Sequence, residues 1–326
     1  MIISKTPYRV SFFGGGSDYP QWHNEYKGSV LSTTIDKHIY LTCRNLPNFF
    51  DHKFRFAWSK LETVKTINQI QHKAVRCLLN ELKIKNGLEI HYDGDLPARS
   101  GMGSSSSFTV GLIKTLFKMK NIEKSKADLT KYTINFEQNI LQEVVGSQDQ
   151  TAAVYGGFNR IDFKKKKIKV KPIRNKKNLI KLNKNLVLIY TGVKRDAPEI
   201  AKKYVNTLTK NNKKKIEHIV KQVDVAEKIL NNGDVDDFGR MLNEAWIYKK
   251  ELNNNISNNK IDHLYDLAIN GGALGGKLLG AGGGGFLLMY MKEKNRINFF
   301  KKNKKLVHVQ FNFSSEGSKI IFIDKK

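Results

Sequence analysis

Four consecutive serines, Ser104 to Ser107, follow Gly101 and Gly103 in "LPARSGMGSSSSFTVGLI" and run straight into an apolar segment with helical spacing. The two glycines let the backbone take conformations closed to other residues and come close to a ligand. Serines in the first turn of a helix sit where N–H groups lack intrahelical partners and the dipole favours an anion. A phosphate fits that position, and the hydroxyls can add hydrogen bonds to it or one ligand to Mg²⁺. A glycine turn with serine capping uses the same residue types, although one serine suffices for a cap. No GxxxxGK[ST] pattern occurs, so the loop is not of the Walker kind.

Two further segments carry complementary groups. "TPYRVSFFGGGSDYP" places Arg9 on a short strand, ahead of the triplet Gly14 to Gly16 and of Asp18. "VVGSQDQTAAVYGGFNRIDF" places Asp149 in a glycine-bounded loop just after a helix. A kinase needs a phosphate cradle, Mg²⁺, a carboxylate to take the acceptor proton and a cation to offset charge on the moving phosphoryl group. These segments hold residues of each kind. In isolation Asp149 would read as a turn cap and Arg9 as half of a structural ion pair. Arg99 and Arg195 are candidate anchors for a distal phosphate on the substrate, since arginine binds phosphate bidentately; solvated surface charge is the alternative.

The elements that must position these groups are legible in outline. "YRVSFF", "GSVLSTTIDKHIYLTCRNL" and "LEIHYDGDL" are β-branched or aromatic runs broken by turn residues, and Ile35, Ile39 and Leu41 alternate with polar neighbours as a half-buried strand does. Phe108, Leu112, Leu116 and Phe117 recur at helical spacing after the serines. A second helix starts at Ser125 in a capping box with Asp128, with Leu129, Thr133, Phe136 and Ile140 as its inward stripe. "FNRIDFKKKKIKVKPI" reads as a hairpin and "LVLIYTGV" as a buried strand opening a second domain. Helical patterns then cover Ala197 to Leu208, Ile216 to Leu230 and Val235 to Leu252, before strand character returns around "GAGGGG" and in "SKIIFID". Without regular βαβ alternation, this mixture predicts an α+β fold in two domains, 1–180 and 181–326.

Composition narrows the function classes. The 326 residues hold 40% hydrophobic side chains, enough for two cores, and only Cys43 and Cys77, which form no disulfide framework or CxxC metal spacing. No run of about 18 apolar residues could span a bilayer. A soluble, cytoplasmic protein without a membrane partner is expected. The net charge of +27 invites a nucleic-acid reading, but its lysines cluster with Asn and Ile rather than with aromatic residues that would stack on bases. Solvated surface lysines are expected instead, and no nucleic-acid partner.

The ordered segments "TPYRVSFFGGGSDYP", "LPARSGMGSSSSF" and "GALGGKLLGAGGGGF", with "GSQDQ" between the last two, resemble the motifs of the GHMP kinases, a superfamily of small-molecule kinases. Within it, "RVSFFGGGSDYP", "DGDLPARSGMGSSSSFTVGL" and "NEAWIYKK" are most similar to the branch acting on D-glycero-D-manno-heptose 7-phosphate. That branch phosphorylates the anomeric C1 hydroxyl to give the 1,7-bisphosphate for nucleotide-activated heptose.

The resemblance implies ATP and Mg²⁺ as cofactors. It implies an N-terminal domain of the ribosomal-protein-S5 domain 2-like type and a ferredoxin-like C-terminal domain, with nucleotide and sugar meeting between them. It carries nucleotide binding onto Gly101, Met102, Gly103, Ser104, Ser105 and Ser106, metal binding onto Ser105 and Glu137, and catalysis onto Asp149 with Arg9 beside it. The sugar-binding aspartate of galactokinase falls on Asp18, and Gly283 of the third motif falls beside the phosphates. Galactokinase has Glu-His-Thr-Asp-Tyr where this chain has "GGSDY" from Gly15 to Tyr19. Gly15 and Gly16 therefore argue against galactose; they open space and present N–H groups suited to a larger or phosphorylated sugar. The expected partner is a small-molecule sugar phosphate, bound by a monomer or homodimer. Another sugar such as fucose, or a non-catalytic binding role, are the alternatives.

Overall fold

The computed structural model describes residues 1–324 except 166, 194–204, 206–207, 210–211 and 254. In chain order the elements are β1 (Ile2–Phe13), α1 (Pro20–His23), β2 (Gly28–Asn45), β3 (Phe54–Ala57), β4 (Leu61–Val64), α2 (Lys73–Glu81) and β5 (Leu88–Gly94). Then come α3 (Ser104–Met119), α4 (Lys126–Asn135) with a π-helical turn over Phe136–Ile140, α5 (Gln148–Tyr155), β6 (Phe158–Lys164), β7 (Lys167–Pro172) and α6 (Lys176–Asn185). The rest is β8 (Leu186–Tyr190), α7 (Lys213–Asn232), α8 (Val235–Lys250), α9 (Asn259–Asn270), β9 (Ala273–Leu278), β10 (Phe286–Met291), α10 (Glu293–Lys302), β11 (His308–Val309), β12 (Phe313–Ser314) and β13 (Lys319–Ile323). The expected α+β mixture is what forms.

The first sheet is organised by β2, whose β-branched run lets it extend over 18 residues. One edge pairs with β1 along most of its length. The other serves three partners in turn: Gly28–Thr33 with β6, Thr34–Ile35 with β12 and Ile39–Asn45 with β5. Ile35, Ile39 and Leu41 are buried as their alternation predicts. The first half of β2 is buried at every position, because α3, α5 and α7 all pack on it.

The second sheet has the order β11-β8-β10-β9, with every pair antiparallel. Strand and helix alternate as β8, helices, β9, β10, α10 and β11, which with that order is the ferredoxin-like arrangement. The last strands leave it. β12 pairs with β2 and β13 with β1, so residues 313–323 complete the first sheet although they lie in the predicted second domain. Most of the helix predicted over 197–208 lies outside the described residues.

The halves meet through polar as well as apolar contacts. Arg160 on β6 donates to Asp162, and across the boundary to Asp224 at 2.7 Å and Glu227 at 2.6 Å on α7. The glycine loop between β9 and β10 presses on the serine loop, backbone against backbone. A Cβ at Gly285 would lie 2.2 Å from the Ser100 carbonyl oxygen, and Gly285 has φ +101°. Only glycine allows that approach.

Candidate active site

A cavity of about 540 Å³ opens where the glycine loop after β1, the amino end of α3, the loop before α5 and the helices α7 and α8 converge. Arg9 reaches it because the register of β1 against β2 slips between Pro7 and Arg9, re-aiming the side chain. Buried to 5% exposure, its guanidinium forks onto Asp149: Nε donates to Oδ1 at 2.7 Å and Nη2 to Oδ2 at 2.8 Å. Nη1 donates to the Gly101 carbonyl at 2.6 Å and the Arg9 backbone N–H to that of Met102 at 3.0 Å. The cation thus fixes both the carboxylate and the serine loop. Asp149 lies in the first turn of α5, where a carboxylate complements the helix dipole.

The amino end of α3 faces the same cavity. Gly103 caps it in the left-handed conformation, φ 73°, and no side chain caps the first-turn N–H groups. The serines have separate tasks. Ser104 Oγ accepts from the Arg99 N–H at 3.3 Å, Ser106 Oγ donates to Glu137 Oε2 at 2.8 Å and Ser107 Oγ donates to the Pro7 carbonyl at 2.8 Å. Of these four serines only the exposed Ser105 has a hydroxyl without a partner among the described residues. Gly103 cannot be larger without crowding the pair beside it, since a Cβ there would sit 3.0 Å from Arg9 Cγ and 3.4 Å from Asp149 Oδ2.

Asp18 stands on the acceptor side, 5% exposed, accepting from the Gly16 N–H at 3.0 Å and the Gln148 N–H at 3.3 Å. Burial, and then the charge of Asp149, push its carboxyl up to about 6 against the pull of those N–H groups. Gly146 makes room for it: a Cβ there would lie 1.9 Å from Asp18 Oδ2. At Gly15, by contrast, a Cβ would meet nothing within 4 Å, so this wall faces open space.

Glu137 lies in the π-helical turn, fully buried beneath Ser106 and not on the cavity wall. Its Oε2 accepts from Ser106 and from Gln150, while its Oε1 is buried without a partner among the described residues. Burial pushes this carboxyl up to about 7, despite the hydrogen bonds it accepts. An orphaned carboxylate oxygen under a serine hydroxyl suits a divalent cation, which would favour the ionised form. Among the described residues no three His, Cys, Asp or Glu side chains converge on one point. Magnesium held here would therefore need phosphate oxygens or water to complete its shell.

Of the residues singled out in the sequence, Arg9, Gly15, Gly16, Asp18, Arg99, Gly101, Gly103, Ser104, Ser105, Ser106 and Asp149 all line the cavity. Met102 does not: its side chain is fully buried in the core and only its carbonyl serves the site. Gly283 is also off the wall, donating its N–H to the Ile256 carbonyl at 2.9 Å; Gly280 and Ala281 stand there instead. The contact to Glu137 is made by Ser106, one residue beyond Ser105. Arg195 lies outside the described residues.

The sequence reading passed over Lys277 and Gln222. Lys277 on β9 is 7% exposed and donates to the Phe12 carbonyl at 2.5 Å; burial, then the nearby Arg9 charge, bring its ammonium down to about 7. Its signal was a lone charge inside a glycine-rich apolar strand, "ALGGKL".

Comparison with known proteins agrees with this geometry. The family descriptions "GHMP kinases N terminal domain" and "GHMP kinases C terminal" match residues 68–157 and 226–304. The chain is 30% identical to the D-glycero-alpha-D-manno-heptose 7-phosphate kinase of Campylobacter jejuni, over 98% of each chain. It is 28% identical to the bifunctional fucokinase/GDP-fucose pyrophosphorylase of Arabidopsis thaliana, over 89% of this chain and 30% of that one. The solved structure of a D-glycero-D-manno-heptose 1-phosphate kinase from Bacteroides thetaiotaomicron has the same fold, with a TM-score of 0.80 at 22% identity and full coverage of both chains. With the serine loop, the Arg9–Asp149 pair and the glycine loop gathered on one cavity, and a relative matched from end to end, the chain belongs to the GHMP kinase family.

Proposed function

We propose that this ATP-dependent sugar kinase transfers the γ-phosphoryl group of ATP to the anomeric C1 hydroxyl of D-glycero-D-manno-heptose 7-phosphate. The observation that carries the reading is the forked Arg9–Asp149 pair, held against the Gly101 carbonyl at the open amino end of α3. The uncapped N–H groups of Ser104 to Ser106 would bind nucleotide phosphate oxygens. Asp149, both oxygens already fixed by the guanidinium, orients the acceptor hydroxyl and takes its proton as the C1 oxygen bonds to the γ-phosphorus. The bond from phosphorus to the β,γ-bridging oxygen breaks and ADP departs. Arg9 offsets charge on the moving group from a fixed position. Ser105, Ser106 and Glu137 would hold Mg²⁺, which supplies charge neutralisation of the phosphates when bound. Asp18 would receive a sugar hydroxyl.

The open wall at Gly15 and the full-length likeness to the Campylobacter jejuni enzyme support a heptose 7-phosphate over galactose. The exposed Arg99 at the cavity is our candidate for the distal phosphate, with Arg195 as a second. Purified protein with Mg²⁺, ATP and each of heptose 7-phosphate, fucose and galactose tests the reading. The expected product is the 1,7-bisphosphate, and preference for a neutral sugar overturns the choice of substrate.

A further inference from the structure

We propose that Gln222 is an acceptor-recognising residue, and that its side-chain amide binds a pair of neighbouring hydroxyls on the sugar. The inference rests on the sugar-kinase reading above and names a determinant of its specificity.

Gln222 is 5% exposed and lines the cavity from α7. Neither Nε2 nor Oε1 has a hydrogen-bond partner among the described residues. An amide buried without protein partners is costly, and because Gln222 lines the cavity a ligand bound there can supply them. The amide offers donor and acceptor side by side. A vicinal diol matches that pair, with one hydroxyl accepting from Nε2 and its neighbour donating to Oε1.

The edge of a nucleobase offers the same pairing, so position must decide between them. The phosphate-binding end of α3 is tied to the middle of β1, through Ser107 to the Pro7 carbonyl and through Arg9 to the Gly101 and Met102 carbonyls. The helix carrying Gln222 is tied elsewhere: Asp224 and Glu227 hold Arg160, whose strand pairs with the first half of β2. That half of β2 lies against Val10–Phe13 at the end of β1, from which the Gly14–Asp18 loop emerges. Lys277 marks the same end by donating to Phe12. Gln222 therefore belongs with Asp18 and the open wall at Gly15.

Gln222→Leu tests this, with the Michaelis constants for heptose 7-phosphate and ATP and the melting temperature of the unliganded protein measured against wild type. The expected result is a rise of at least about tenfold in the sugar constant, the loss of a paired polar contact, with the ATP constant within about twofold and melting unchanged or higher. Gln222→Asn, which keeps the amide but retracts it, should raise the sugar constant less than the leucine variant does. An unchanged sugar constant, a rise in the ATP constant instead, or a drop in melting with both constants intact would overturn the inference. If wild type uses fucose rather than heptose 7-phosphate, the substrate named above fails, and the same ratio measured with fucose still decides the role of Gln222.

Discussion

Ser106 Oγ sits 2.8 Å from Glu137 Oε2 and joins the wall of the phosphate site to a carboxyl that is wholly buried. That carboxyl is pushed from 4.5 up to about 7, so the folded protein holds its proton more tightly than the unfolded chain does. The resulting penalty is absent below about pH 4.5 and grows as pH rises, reaching about 3 kcal/mol above pH 7. Glu137→Gln should therefore leave the unliganded protein more stable than wild type at pH 8, with the difference vanishing near pH 4.5 in urea unfolding. Under the metal role proposed for Glu137, turnover with Mg²⁺ and ATP should fall by about 10- to 100-fold.

The Arg9–Asp149 fork supplies a second test. Asp149→Asn keeps the shape but removes the proton acceptor, so kcat should fall by about 100- to 10,000-fold while ATP binding by titration calorimetry is retained. Arg9→Lys keeps the charge and loses the fork, and should also lower kcat. Wild-type turnover in either variant would take that residue out of the chemistry.

Gly146 is predicted to govern Asp18. Alanine there would place a Cβ 1.9 Å from Asp18 Oδ2, forcing the carboxylate or the loop to move at about 1–3 kcal/mol. The Michaelis constant for the sugar should rise and that for ATP should hold. Initial-rate kinetics with each substrate varied in turn would read the difference.

Arg160 joins β6 to α7 through two carboxylates, and Glu227 is only 12% exposed. Arg160→Ala leaves that charge without its principal partner and should cost about 3–5 kcal/mol in urea unfolding at pH 7. Burial raises the pKa of Glu227, but its bonds to Arg160 and Lys171 outweigh that and hold it below the usual carboxylate value. The stabilisation is thus present above that usual value and lost as pH falls, so the two proteins should converge in acid.

How much of this was visible in the sequence depends on how local each cause is. Gly103, Ser105 and Asp149 are set by conformational freedom and helix-end chemistry that operate over a few residues, and they could be read in place. Gln222 could not. On α7 a glutamine has the pattern of a solvated helix face, and only the packing of that helix over β1 and β2 makes it a buried wall. The contact to Glu137 falls on Ser106, and Glu137 lies in a π-helical turn that helical spacing alone does not encode. Lys277 needed the pairing of β9 with β10 and the approach of β1 before its charge had a place. The division at residue 180 separates β13 from the sheet it joins, because nothing in "SKIIFID" names its partner.

That last pairing bears on how the molecule is made. Ile2 lies against Ile323, 321 positions downstream, with a complete ferredoxin-like unit threaded between them. During translation β1 waits beside β2 with its outer hydrogen-bonding groups bare, a template for stray strands, until residues 319–323 have emerged. Synthesis at a high local concentration of nascent copies is where this protein is most exposed to aggregation, well before any question of catalysis arises.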